Sequence, residues 1–297
     1  MTGAERGFLL LCSQLGDPER KPLTLPQLRE LKKRMTAVQP EGADRDVECR
    51  DLLALGYGME AAERIVHLLS EEALLERYLQ KGRRSGCVPL TRLTQGYPQV
   101  LKNRLGPDCP GCLWAKGDPA LLARPAISLV GSRMLEPDNA AFAAEVGRQA
   151  AIQGYTLVSG NAAGADRTAQ DSCLAAGGSV ISVVATALQE QRQQKNVLWL
   201  AEEDYDRIFS PQRALSRNRV IHALGDKTFV AQSALECGGT WDGSVRNLRF
   251  GWSPVLCFDD GSPAVRRLCV MGAEPIGKDE LQSISTIIPE IHNLFDQ

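Results

Sequence analysis

An α/β fold, with a mainly parallel, doubly wound sheet behind a small helical N-terminal domain, is what this sequence predicts on three observations. Apolar runs of the buried-strand type recur from Ala126 onward, without the polar alternation of a half-exposed strand. Amphipathic helical segments separate those runs. Ahead of them, residues 25–80 carry helical periodicity. Continuous apolar strands alternating with helices form a sheet covered on both faces, the Rossmann-like arrangement, whose ligands bind beyond the carboxyl ends of the strands.

In chain order, Leu28, Leu31 and Met35 make one helical stripe, and Leu52, Leu53 and Leu55 another. Ala54 to Leu69 predicts a short helix, a glycine-bounded turn and a second helix, similar to a helix-hairpin-helix or SAM-type module, and residues 1–85 are read as a small packing domain. Gly96-Tyr97-Pro98, Gly106-Pro107, Pro110-Gly111 and Gly117-Asp118-Pro119 then break every long periodic element, so residues 86–125 read as a structured connector. The Rossmann-like domain is assigned to 126–297, with strands over 126–132, 155–160, 179–186, 228–233 and 254–258. Pro137 can start a helix that places Phe142, Val146 and Ala150 on one face, and a further helix follows from Ala165 to Ala176.

Composition narrows the function. At 297 residues, 24% charged and 43% hydrophobic, the chain has ordinary globular usage, which excludes wholesale disorder and fibrous repeats. No apolar stretch approaches the ~20 residues of a membrane span, and Phe8 to Cys12 is too short for a signal-peptide core, so no membrane association is expected. Nine cysteines, an odd number, fit reduced thiols and a cytoplasmic location. With a net charge of -2, any basic footprint for nucleic acid must be local.

Four strand-end segments carry candidate chemistry. Gly131-Ser132-Arg133 joins close backbone approach, a hydroxyl and a guanidinium fork, although a strand-end Gly-Ser also simply turns a chain. Ser159, Gly160, Asn161, Ala162, Gly164 and Asp166 form a small-residue loop opening a helix, where backbone N–H groups favour an anion. It is neither a G-x-G-x-x-G fingerprint nor a P-loop. Arg213, Arg217 and Arg219, with Asn218, gather on one helical segment. Their like charges call for a ligand phosphate or for pairing with Glu202, Glu203, Asp204 and Asp206 upstream. Gly238, Gly239 and Thr240 make a second small turn, and Trp241 either stacks on a base or fills the core. His67, His222 and His292 lack metal spacing, Cys109 and Cys112 form a lone C-x-x-C pair, and no G-x-S-x-G elbow appears, so no metal, cofactor or catalytic residue is expected.

Taken together, Gly131-Ser132-Arg133, VSGNAAGAD (158–166), FSPQRALSRNRVIHAL (209–224) and LCVMGAEPI (268–276) resemble, in order and spacing, the DprA (Smf) DNA-processing family. Gly96-Tyr97-Pro98, Leu101 and Trp114 to Gly117 resemble that family's entry into its Rossmann domain. The resemblance implies a bacterial single-stranded DNA binder that does not cut DNA, forms a homodimer and helps load RecA recombinase during natural transformation. It implies phosphate contacts or groove-shaping roles for Arg133, the 159–166 loop, Arg217, Asn218 and Arg219, and a further basic contact at Lys195. Several positions depart from the family pattern: Ala165 replaces isoleucine, Gln170 replaces histidine, an acidic residue is missing near Gln232, and Gly238-Gly239-Thr240 stands for Ser-Gly-Ser. With the chain ending at Gln297, no winged-helix domain of the kind many relatives append is expected.

Two other functions stay open. Phosphoribohydrolases of the LOG type resemble this architecture but place a catalytic glutamate where Gly243 stands, with Asp242 one residue early. A sensor of a nucleotide-derived signal would use the same cleft.

Overall fold

The computed structural model describes residues 1–37 and 46–287; His292, named above, lies outside them. Among the described residues, five helices open the chain: α1 (Gly3–Cys12), α2 (Leu25–Ala37), α3 (Cys49–Ala54), α4 (Met59–Ser70) and α5 (Glu72–Arg84). The turn expected after Ala54 is present, and Gly56 adopts a positive φ of 82° within it. Leu31, Leu52, Ala62, Ile65 and Leu68 close a small core of their own, whereas Met35 and Leu53 of the expected stripes face solvent.

The remaining elements are β1 (Cys87–Thr91), α6 (Gln99–Leu105), β2 (Cys112–Lys116), β3 (Ala126–Val130), α7 (Pro137–Ile152), β4 (Thr156–Ser159), α8 (Ala165–Ala175), β5 (Ser179–Val184), β6 (Val197–Ala201), α9 (Pro211–Leu224), β7 (Thr228–Val230), α10 (Gly238–Phe250), β8 (Val255–Phe258), α11 (Pro263–Val270) and β9 (Glu274–Ile276). They build one sheet in the order β1-β2-β6-β5-β4-β3-β7-β8-β9. From β6 to β9 every pairing is parallel, and β1 and β2 add an antiparallel edge. Each outermost strand carries a proline, Pro89 in β1 and Pro275 in β9.

The five predicted strands are all present as parallel members of this sheet. Two features were not expected. The stretch read as a connector supplies β1, α6 and β2, because, apart from Pro89 on the outermost strand β1, its glycines and prolines fall outside these elements. The segment over 197–201 forms β6, entirely buried.

Both sheet faces are covered. On one side α7 and α8 pack with Phe142, Val146 and Ala150 wholly buried, as the spacing of four required. That same core takes in Leu9 and Leu10 of α1 and Leu75, Tyr78 and Leu79 of α5, so the helical start of the chain shares a core with the sheet. Tyr78, Trp114 and Tyr205 interlock there, with ring centroids 4.5 to 5.5 Å apart. On the other side Leu101 of α6, Val220 and Ile221 of α9, Val245 and Leu248 of α10 and Leu268 of α11 cover the sheet.

Strand order reverses between β3 and β7. From β3 the chain moves by α7 to β4, while β7 lies on the opposite flank of β3 and leads to β8. This switch point opens a crevice beyond the carboxyl ends of β3 and β7.

Candidate nucleic-acid interface

The crevice is a cleft of about 570 Å³. Its floor and walls come from the turn after β3 (Gly131, Ser132, Arg133), the loop into α8 (Ala162, Asp166), α9 (Leu215, Arg217, Asn218) and the start of α10 (Gly238, Gly239, Thr240). Four chain segments far apart in sequence therefore meet at one place.

Backbone hydrogen bonds lock these loops together. The Ser132 N–H donates to the Gln232 carbonyl at 3.0 Å, and the Ala165 N–H donates to the Ser132 carbonyl at 3.0 Å. Gly164 holds φ at 81°, and a Cβ there would sit 2.4 Å from the Ser132 oxygen, so only glycine permits this turn. Asn139 supports the same floor from α7, donating to the Ala231 carbonyl and to Asp260, both at 2.8 Å.

Asp166 and Arg217 set the electrostatics. One Asp166 carboxylate oxygen accepts the Gly160 N–H at 3.2 Å and the Ala162 N–H at 3.1 Å. Burial pushes this carboxyl above the ordinary aspartate value, and the charge of Arg217, the two amides and Arg133 oppose that rise. Arg217 is itself buried, and desolvation lowers its pKa while Asp166 counteracts it. Its Nη2 donates to the Gly160 carbonyl at 3.0 Å, yet its Nε has no partner among the described residues. A buried guanidinium with an unmatched N–H is a costly arrangement, and this one lies in the wall of an open cleft.

Two further donors face the cleft. Arg133 is exposed, and no ion pair or hydrogen bond of its guanidinium is found among the described residues. Helix α10 starts at Gly238 without a side-chain cap from Cys237, which leaves first-turn N–H groups and the positive helix end toward the cleft. Asn218 ties this turn to α9 by donating to the Gly239 carbonyl at 3.1 Å.

Several expected contacts fall elsewhere. Lys195 lies just before β6, where the Asn196 carbonyl accepts the Val180 N–H at the start of β5. It therefore sits at the amino ends of the strands, across the sheet from the cleft, because residues 185–196 run back to that edge before β6 begins. Arg213 turns away from the cleft and donates to the Ala185, Arg207 and Ile208 carbonyls at 2.6 to 2.8 Å while pairing with Glu203 at 3.1 Å. Arg219 is held by Glu202 in a two-pronged pair and also donates to the Asp108 carbonyl at 3.1 Å. The pairing upstream that the sequence left open thus claims two of the three arginines. The Ser159 hydroxyl is fully buried and accepts from Gln170 at 2.8 Å. The amides of Gly160 and Ala162 are taken by Asp166, so that part of the loop cannot cradle a phosphate. Trp241 packs against the core beneath α10.

Phe209 and Leu215 are cleft residues that the sequence pattern did not single out. They line the cleft yet remain 49% and 41% exposed. The available signal was an aromatic residue immediately before the helix cap Ser210 with only the small Ala214 at the position where a hydrophobic staple would find its partner.

Fold and cleft together define a class: a Rossmann-type protein with an anion-attracting crevice at the switch point of its sheet. Within that class the chain belongs to the DNA recombination-mediator protein A family, whose sequence profile matches residues 89–243. It is 28% identical over 176 residues to the DNA processing protein DprA of Bacillus subtilis, covering 55% of this chain and 58% of that protein. It is also 28% identical over 210 residues to the protein Smf of a Synechocystis strain, covering 62% of this chain and 49% of that protein. The matched region thus spans about half the length of these relatives. The X-ray structure of DprA from Streptococcus pneumoniae is similar with a TM-score of 0.71, 24% identity, and coverage of 95% of this chain and 97% of that one. DprA from Helicobacter pylori, studied for its single-stranded DNA binding mode, gives a TM-score of 0.56 at 22% identity over 66% of this chain and 94% of that chain.

Proposed function

We propose that this protein binds single-stranded DNA through the switch-point cleft, without chemistry on the strand, in DNA processing during transformation and recombination. The carrying observation is the buried Arg217, which lines the cleft together with the exposed Arg133 and the uncapped start of α10. These are donors for phosphate, and Phe209 and Leu215 offer apolar surface to unstacked bases. Family membership and the single-stranded DNA binding of the Helicobacter relative support the same reading. Homodimer formation and assistance to RecA belong to the wider proposal and rest on the family resemblance.

The phosphoribohydrolase alternative meets a steric objection. A Cβ at Gly243 would lie 2.9 Å from His222 Nε2, so the glutamate of that reaction has no room there. His222 is neutral, its pKa pushed down to about 3 by burial and by Arg217, and its ring is engaged with Thr228 and Asn247.

Affinity for a fluorescent oligothymidine across a salt series, with AMP and cyclic nucleotides as competitors, tests the proposal. A strand binder loses affinity steeply with salt, and Arg133→Glu should weaken all sequences alike and flatten the log–log slope by about 0.7. Unchanged oligonucleotide affinity in that variant, with tight binding of a mononucleotide, would establish the sensor reading instead.

A further inference from the structure

The cleft does not end the basic, planar surface. Helix α10 leaves it at Gly238 and runs 13 residues to Phe250, roughly 20 Å at about 1.5 Å per residue. Its exposed face carries Asp242 near the start, then Arg246, Arg249 and Phe250. Successive steps of four and three residues place Asp242, Arg246 and Arg249 on one stripe, opposite the buried Gly243, Ser244 and Asn247.

Neither Arg246 nor Arg249 has a carboxylate partner among the described residues. Each instead lies against an aromatic ring, Arg246 at 5.9 Å from Trp252 and Arg249 at 5.5 Å from Phe250. Those rings stack on each other with centroids 5.6 Å apart and an interplanar angle of 16°, and Phe250 remains 54% exposed. Exposed arginines usually find acidic neighbours or stay extended in water. Guanidiniums held near the exposed Phe250 ring and the buried Trp252 ring instead join cationic surface to one exposed aromatic face, which suits bases and phosphates.

We infer that the α10 stripe is a second contact surface for the same DNA strand, which leaves the cleft at Gly238 and follows the helix to Arg246, Arg249 and Phe250. This inference rests on the proposed function of the cleft. Charge complementarity and continuity with the cleft select the strand as the occupant. At about 3.4 Å per nucleotide in a stacked strand, the length of the helix accommodates roughly six nucleotides beyond those held in the cleft.

The test compares an oligothymidine of about four nucleotides with one of about sixteen, spanning the range of known single-strand sites. Four forms are needed: the parent protein, R133E, R246E/R249E, and R192E/K195E as a control of equal charge change across the sheet. The inference expects R246E/R249E to bind the short strand normally and the long one at least fivefold more weakly, with the salt slope for the long strand reduced by about 1.4. Phe250→Ala should weaken only the long strand, at unchanged salt slope. Equal losses on both lengths, no loss on either, or an equal loss in the R192E/K195E control would overturn it. So would a change in solution mass without a change in DNA affinity, which would assign the stripe to a contact between two copies. If R133E leaves the short strand unaffected, the cleft reading itself has failed; if only the R246E/R249E arm is silent, the stripe alone has.

Discussion

Arginine positions that look equivalent in the sequence have separate duties in the fold. Arg219 and Glu202 are nearly buried partners, so Arg219→Ala strands a desolvated carboxylate and should cost about 3 kcal/mol in chemical denaturation while leaving oligothymidine affinity unchanged. Arg217 couples both properties, and Arg217→Met should lower stability by a similar amount and also weaken DNA binding. Gly160→Ala should phenocopy it, because the added carbon would stand about 2 Å from the guanidinium. Asp204 supplies the pH dependence. It accepts the Ser13 hydroxyl at 2.5 Å and the Gln14 N–H at 2.8 Å, and burial raises its pKa to about 6 despite those bonds. A carboxyl whose folded pKa exceeds its unfolded value of ~3.9 binds its proton more tightly in the folded state. Its contribution is therefore full below about pH 4 and is lost as pH rises to about 6. Denaturation midpoints measured between pH 4 and 7 should fall less steeply in Asp204→Asn than in the parent.

Elements were more legible than side-chain destinations. The helix over 137–152 was readable because Phe142, Val146 and Ala150 repeat at helical spacing, and all three are wholly buried. Phe142→Ala should cost about 3 to 5 kcal/mol, measurable by urea denaturation, since the ring stacks on Phe258 at 4.6 Å. Parallel strands announced themselves as uninterrupted apolar runs, but β1 and β2 were hidden among turn residues, and β6 follows a polar stretch that masks its start. At the cleft, strand-end glycines located the loops that converge there. What local spacing could not convey was which way each side chain turns: Arg213 and Arg217 stand four residues apart on α9, yet the first reaches back to the loop before its own helix and the second lines the cleft. Lys195 shows the same limit at larger range, since the return of the 185–196 segment to the far edge of the sheet depends on tertiary contacts and not on local pattern.

At the scale of the molecule, the described sheet has nine strands and two outer edges, at β1 and β9. An open ladder of this kind ordinarily invites a neighbouring chain to dock by main-chain pairing, the first step toward fibrils. Pro89 and Pro275 each remove one amide hydrogen from those rims, and β9 is only three residues long. Lateral growth is thereby discouraged at both ends of the described sheet.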